Sequence, residues 1–160
     1  MEAEAQLTLA DVRDAALRAV AAVGLAAIAL IHLLDAPGKF AETPYMGWLY
    51  VALIAACVAA AYAFTHTTDR RLWLAAIALA AGPLVGFVLT RTVGLPQADG
   101  DIGNWTEPLG LASLFVEGSL VALAGAALAL RPAGVPVAPA ASEPRTQRAP
   151  RATRSPETVR

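Results

Sequence analysis

Six residues of this 160-residue chain have types and positions suited to chemistry: His32, Asp35, Glu42, Arg91, Glu107 and Glu117. An imidazole beside carboxylates can pass a proton, hold a cation or grip the polar end of a small ligand. All six lie in or next to long apolar stretches. An ionisable group inside a membrane costs roughly 2.5–3.5 kcal/mol on insertion scales, so each should face inward and find a partner. Glu117 is the clearest case. Gly110, Ser113 and Glu117 fall on one face of a helix, and that face is small and polar, as a buried seam would be.

The elements that must position these residues follow from hydropathy. Hydrophobic residues make up 57% of the chain and charged residues 16%, with a mean hydropathy of +0.55. This excludes a disordered protein and argues against a soluble enzyme domain. Four apolar stretches, 15–34, 46–64, 72–90 and 109–130, approach the roughly 20 residues that cross a bilayer. They are rich in Ala and Leu and lack two-residue alternation, so they read as helices rather than barrel strands. The expected fold is an all-α, four-helix transmembrane bundle with short loops. A cytoplasmic segment, 1–14, precedes it, and a basic, disordered cytoplasmic tail, 131–160, follows. The first stretch begins after Met1-Glu2-Ala3-Glu4 and is too long for a signal peptide, so it reads as a retained helix.

Threading follows from the cations. Ten arginines fall on the side holding the N-terminus, the middle loop and the tail; only Lys39 and Arg91 fall on the other. By the positive-inside rule this predicts a multi-pass cell-membrane protein with both termini cytoplasmic and the polar residues outward. Thr8 and Asp11 read as a capping box that starts the first helix, and Asp35-Ala36-Pro37-Gly38 as its stop. Tyr45, Trp48 and Tyr50 suit an interfacial aromatic belt. In the third helix Pro83 predicts a kink, and Gly82 and Gly86 have the spacing that lets another helix approach closely. Gly82, Pro83, Gly86, Gly110 and Ser113 are therefore the expected packing positions.

Depth decides whether the polar residues meet. If the fourth helix starts at Pro108, Glu117 lies about 14 Å along it, while His32 lies only about 4.5 Å from Asp35. The two would then miss each other. If that helix starts near Ala112, Glu117 lies about 8 Å in, within reach of Arg91 or His32. The bland alternative has Arg91 paired with a carboxylate and His32 bonded to a backbone carbonyl.

Other motifs carry less. His32, Asp35 and Glu42 match no zinc spacing, so no metal site is assigned. The loop from Asp99 to Asn104 departs from a calcium loop and lacks its closing Glu. Asn104-Trp105-Thr106 is a sequon that matters only in a glycosylating secretory pathway. Cys57 reads as a packing residue and His66 as a turn residue. A lone cysteine excludes an intramolecular disulfide or a multi-cysteine metal site. There is no phosphate loop or nucleophile elbow.

Three short blocks stand out together: His32-x4-Pro37-x-Lys39-Phe40-x-Glu42, Arg91-Thr92-x-Gly94-x-Pro96 and Glu107-Pro108-x-Gly110. The arrangement resembles an uncharacterised family of small, four-span integral membrane proteins of actinobacterial type. The Ala-rich, Arg-over-Lys composition is similar too. The resemblance covers roughly 15–130 and implies a four-helix membrane protein and no particular activity. Family members often carry His where this chain has Lys39, and Asp where it has Ser113. These departures remove two candidate ligands and make a metal less expected. The leading functional expectation is a small transport, sensing or accessory subunit with an outward polar site. The alternatives are a structural assembly protein, or a metal- or cofactor-binding membrane protein or enzyme. The cofactor is unknown. Expected partners are the lipid bilayer and another copy or another membrane protein, with no nucleic acid.

Overall fold

A computed structural model of the chain describes residues 8–130; the expected tail, 131–160, lies outside the described residues. Four helices follow one another: α1 (Leu9–Glu42), α2 (Pro44–His66), α3 (Arg70–Thr92) and α4 (Pro108–Ala129). A short 3-10 turn (Asp99–Asp101) interrupts the connection between α3 and α4. The four-helix, all-α architecture is as the hydropathy predicts, and each helix is long and apolar enough to span a membrane. Only 17–28% of each apolar window is buried inside the bundle, so most of the side-chain surface faces outward. Apolar exposure on that scale suits hydrocarbon rather than water.

Local chemistry sets the helix starts. Thr8 and Asp11 form the predicted capping box, with Asp11 N–H donating to Thr8 Oγ1 at 3.2 Å and Thr8 N–H to Asp11 Oδ2 at 3.1 Å. Pro44 and Pro108 begin α2 and α4, where a missing N–H costs nothing. Asp69 caps α3 by accepting from Arg71 N–H at 2.8 Å.

One boundary differs from expectation. Helix α1 does not stop at Pro37 but runs through it to Glu42. Proline removes only one backbone donor, and here tertiary contacts outweigh that loss. Thr43 N–H donates to Lys39 O at 2.8 Å, Lys39 is buried against acidic partners, and the Phe40 ring packs onto Gly47, where a Cβ would lie 2.5 Å from it. The expected loop from Asp35 to Tyr45 therefore shrinks to Thr43 alone.

The core is made of small residues around a few large ones. Ala21, Ala76, Ala80 and Ala124 let the helices approach closely, and Leu25, Ile28, Phe64 and Trp73 fill the centre. Phe64 and Trp73 meet edge to face at 4.8 Å beside the short α2–α3 turn. Arg18 satisfies the α2 C-terminus there, donating to Phe64 O at 2.8 and 2.5 Å. The opposite end of the bundle carries nearly all the buried charge.

Candidate functional site

The polar end is built in two layers. The deeper one joins α1 to α4. His32 Nδ1 lies 2.9 Å from Ile28 O, one turn back on α1. A carbonyl only accepts, so Nδ1 carries the hydrogen and Nε2 is left facing α4. Nε2 lies 3.9 Å from Glu117 Oε1, and Ser113 Oγ donates to the same oxygen at 2.5 Å. Glu117 is 0% exposed, and its Oε2 has no hydrogen-bond partner among the described residues.

The depth arithmetic explains why this pair meets. Helix α4 does begin at Pro108, which places Glu117 about 14 Å along it. The continuation of α1 to Glu42 sets His32 ten residues, or about 15 Å, from that helix end as well. The two side chains are level because α1 ignores its proline.

The shallower layer is ionic. Arg91, 4% exposed, sits on the last turn of α3. Its NH1 lies 3.0 Å from Asp101 Oδ2, its NH2 donates to Glu107, and its guanidinium lies 4.6 Å over the Phe87 ring. Arg91 Nε is buried without a partner among the described residues. Lys39 joins from α1, with Nζ 3.3 Å from Asp101 Oδ2 and 3.2 Å from Glu42 Oε2. Glu42 is largely exposed, so its pair adds little. The α3–α4 connection is strapped down over this layer. Thr43 Oγ1 donates to Gln97 O at 3.1 Å, Tyr45 Oη to Pro96 O at 2.8 Å, and Gly103 N–H to Arg91 O at 3.0 Å. Gly94 and Gly103, with φ of 77° and 80°, supply the left-handed turns this path needs.

Between the layers lies a cavity of about 330 Å³, within the range of small-ligand sites. His32 and Ser113 floor it, and Arg91, Lys39 and Asp101 line its upper end. Asp35 borders it from α1 and accepts from Tyr50 Oη at 3.1 Å; the Tyr50 ring in turn meets the His32 ring at 4.6 Å.

The six predicted polar residues are divided between the two layers, with His32, Asp35, Arg91 and Glu107 all bordering the one cavity. Glu117 pairs with His32 and Ser113, Arg91 and Glu107 belong to the ionic layer, Asp35 pairs with Tyr50, and Glu42 sits at the edge. The packing residues divide as well. At Gly110 an added Cβ would collide with the Phe87 ring, so α3 and α4 close there. At Gly82 and Gly86 an added Cβ would meet nothing within 4 Å, and both residues, with Pro83, line the cavity. Sequence reasoning passed over Lys39, Tyr50 and Asp101. Lys39 could have been found as one of only two cations at this end facing several carboxylates. Asp101 had no such signal, because an acidic loop reads as solvated. Among the described residues no group of three or more His, Cys, Asp or Glu side chains is placed to hold a metal.

No family model, no curated protein and no solved structure matches the chain. The fold and the site define the class: a four-helix, multi-pass membrane protein with a largely apolar cavity, edged by charged side chains, at one end of its bundle.

Proposed function

We propose that this protein binds a small molecule inside its bundle and acts as the binding unit of a transport or sensing system. The observation that carries this reading is the cavity between two buried polar layers. A bundle held together only by packing gains nothing from a void beside buried ionisable groups, since both cost stability. The excess of arginine at the opposite end supports a cell-membrane orientation with the cavity outward and both termini cytoplasmic. The resemblance to small four-span bacterial membrane proteins fits the same reading, because its three sequence blocks contribute to the cavity wall or the ionic layer beside it.

The purely structural reading draws on the ionic layer, which fastens the α3–α4 connection. A cavity-filling variant separates the two. Gly86→Leu places a side chain into open space and should leave the bundle intact. Native mass spectrometry of protein taken directly from its membrane should show a bound small-molecule mass on the wild type that is lost from Gly86→Leu. Identical spectra for the two proteins would leave the cavity without an occupant and favour the structural role.

A further inference from the structure

The cavity is closed above and below and open on one flank. The strapped α3–α4 connection and the ionic layer cover its upper end. Below its floor, Leu25, Ile28, Cys57 and Leu120 pack as solid core. Helices α1 and α2 pack extensively, as do α3 and α4, whereas α2 and α3 touch far less. The α2–α3 ring contact, Phe64 on Trp73, lies beside their short turn, and toward the polar end the two helices part around the cavity. Met46, Leu49 and Leu53 on α2 line one side of the gap; Gly82, Pro83 and Gly86 on α3 line the other. Leu49 is 61% exposed, and Gly82 is exposed as well. Gly82 is also ten residues, or about 15 Å, from the end of α3, a depth at which the surroundings are hydrocarbon.

The charges lining the cavity are unequal. Asp101 and Glu107 are matched by Lys39 and Arg91. Asp35 accepts from Tyr50; Lys39 and His32 feel its charge, but no Lys, Arg or His nitrogen of the described residues comes within ion-pair distance of it. The Tyr50 ring borders the same space and offers a face that attracts a cation, whereas the Phe87 ring already carries the Arg91 guanidinium.

We infer that the cavity is reached sideways from the bilayer, between α2 and α3, and that it takes a lipophilic amine. The apolar body lies against Leu49, Leu53 and Phe87, and the protonated nitrogen meets Asp35. This inference rests on the cavity being a binding site. A lipophilic acid would place a second negative charge beside Asp35, while Lys39 and Arg91 already face Asp101 and Glu107 and only Arg91 Nε keeps an unused donor among the described residues.

Two measurements test it. A nitroxide at Gly82→Cys, with the wild type and its buried Cys57 as the blank, is placed in phosphatidylcholine vesicles. Collisions with dissolved oxygen should exceed those with a water-soluble nickel chelate. The reverse result would overturn access from the bilayer and leave the binding reading standing. In phosphatidylcholine nanodiscs, decylamine should raise the thermal midpoint of the wild type and decanoic acid should not. Asp35→Asn, which keeps an acceptor for Tyr50, should weaken decylamine binding about tenfold, the effect of losing one charge-assisted contact. Tyr50→Phe should weaken it less. Equal binding of the acid, an unaffected Asp35→Asn variant, or no decylamine binding to the wild type would overturn the assignment. The comparison with Gly86→Leu then decides separately whether the cavity binds anything.

Discussion

At the scale of single residues, the most exacting position is Arg91. Its guanidinium is almost fully buried and serves two carboxylates from the α3–α4 connection. Removing one partner of such a set strands the others in a poorly solvated place. Because Asp101 and Glu107 are themselves partly exposed, Arg91→Leu should cost about 2–3 kcal/mol rather than the full penalty of a buried pair. The loss would appear as a lower thermal midpoint in detergent. Arg91→Lys should recover only part of it, since an ammonium cannot present a planar fork to two carboxylates. An unchanged midpoint in Arg91→Leu would show that the bonds from Thr43, Tyr45 and Lys39 hold the connection without Arg91. Glu117 makes a different point about legibility. Its burial is readable from one carboxylate in an apolar run, but its partner is not, because the partner depends on where another helix ends.

At the scale of elements, the helices were legible and their relations only partly so. Length, hydropathy and capping residues place the second, third and fourth helices and the start of the first within a few residues of their observed bounds, but not the end of the first. What misled was Pro37. A proline followed by glycine ordinarily stops a helix, yet Lys39 and Phe40 find tertiary partners that carry α1 another turn and more. Spacing of glycines likewise shows that a face is small without showing what it meets. Gly110 is filled by the Phe87 ring and Gly82 by open space, although both read as packing positions. Different outcomes follow for the same substitution. Gly110→Ala should destabilise by about 1–3 kcal/mol through overpacking. Gly82→Ala should be close to neutral, within about 1 kcal/mol, because helix propensity favours Ala while the following Pro83 disfavours a Cβ on helical backbone before it. Thermal unfolding of the two variants side by side checks the contrast; equal losses would mean that α3 is packed at Gly82 as well.

At the scale of the whole molecule, the orientation proposed from the charge asymmetry puts the cavity on the outer side, and that is open to test. Asn104 lies exposed in the α3–α4 connection, away from the buried pairs. A thiol introduced by Asn104→Cys should react in intact cells with a membrane-impermeant maleimide, while wild-type Cys57 stays silent in the core. Labelling only after the cells are opened would invert the topology and turn the cavity toward the cytoplasm. Of all this, the four spans follow from patterning along the chain. The division of the polar residues into a dyad and an ionic layer does not, because it depends on side chains from three helices arriving at matched depths.

The anchoring of Arg18 on the Phe64 carbonyl fixes more than one helix end. It sets Arg18 level with the close of α2, so Leu9–Leu17, exposed along most of its length, stands about 14 Å beyond that level as a stiff mast. A reporter fused ahead of Thr8 would ride at the head of this mast instead of crowding the turn between α2 and α3. Trimming the mast back as far as Arg13 would bring it down and leave in place Leu17, which packs against the core.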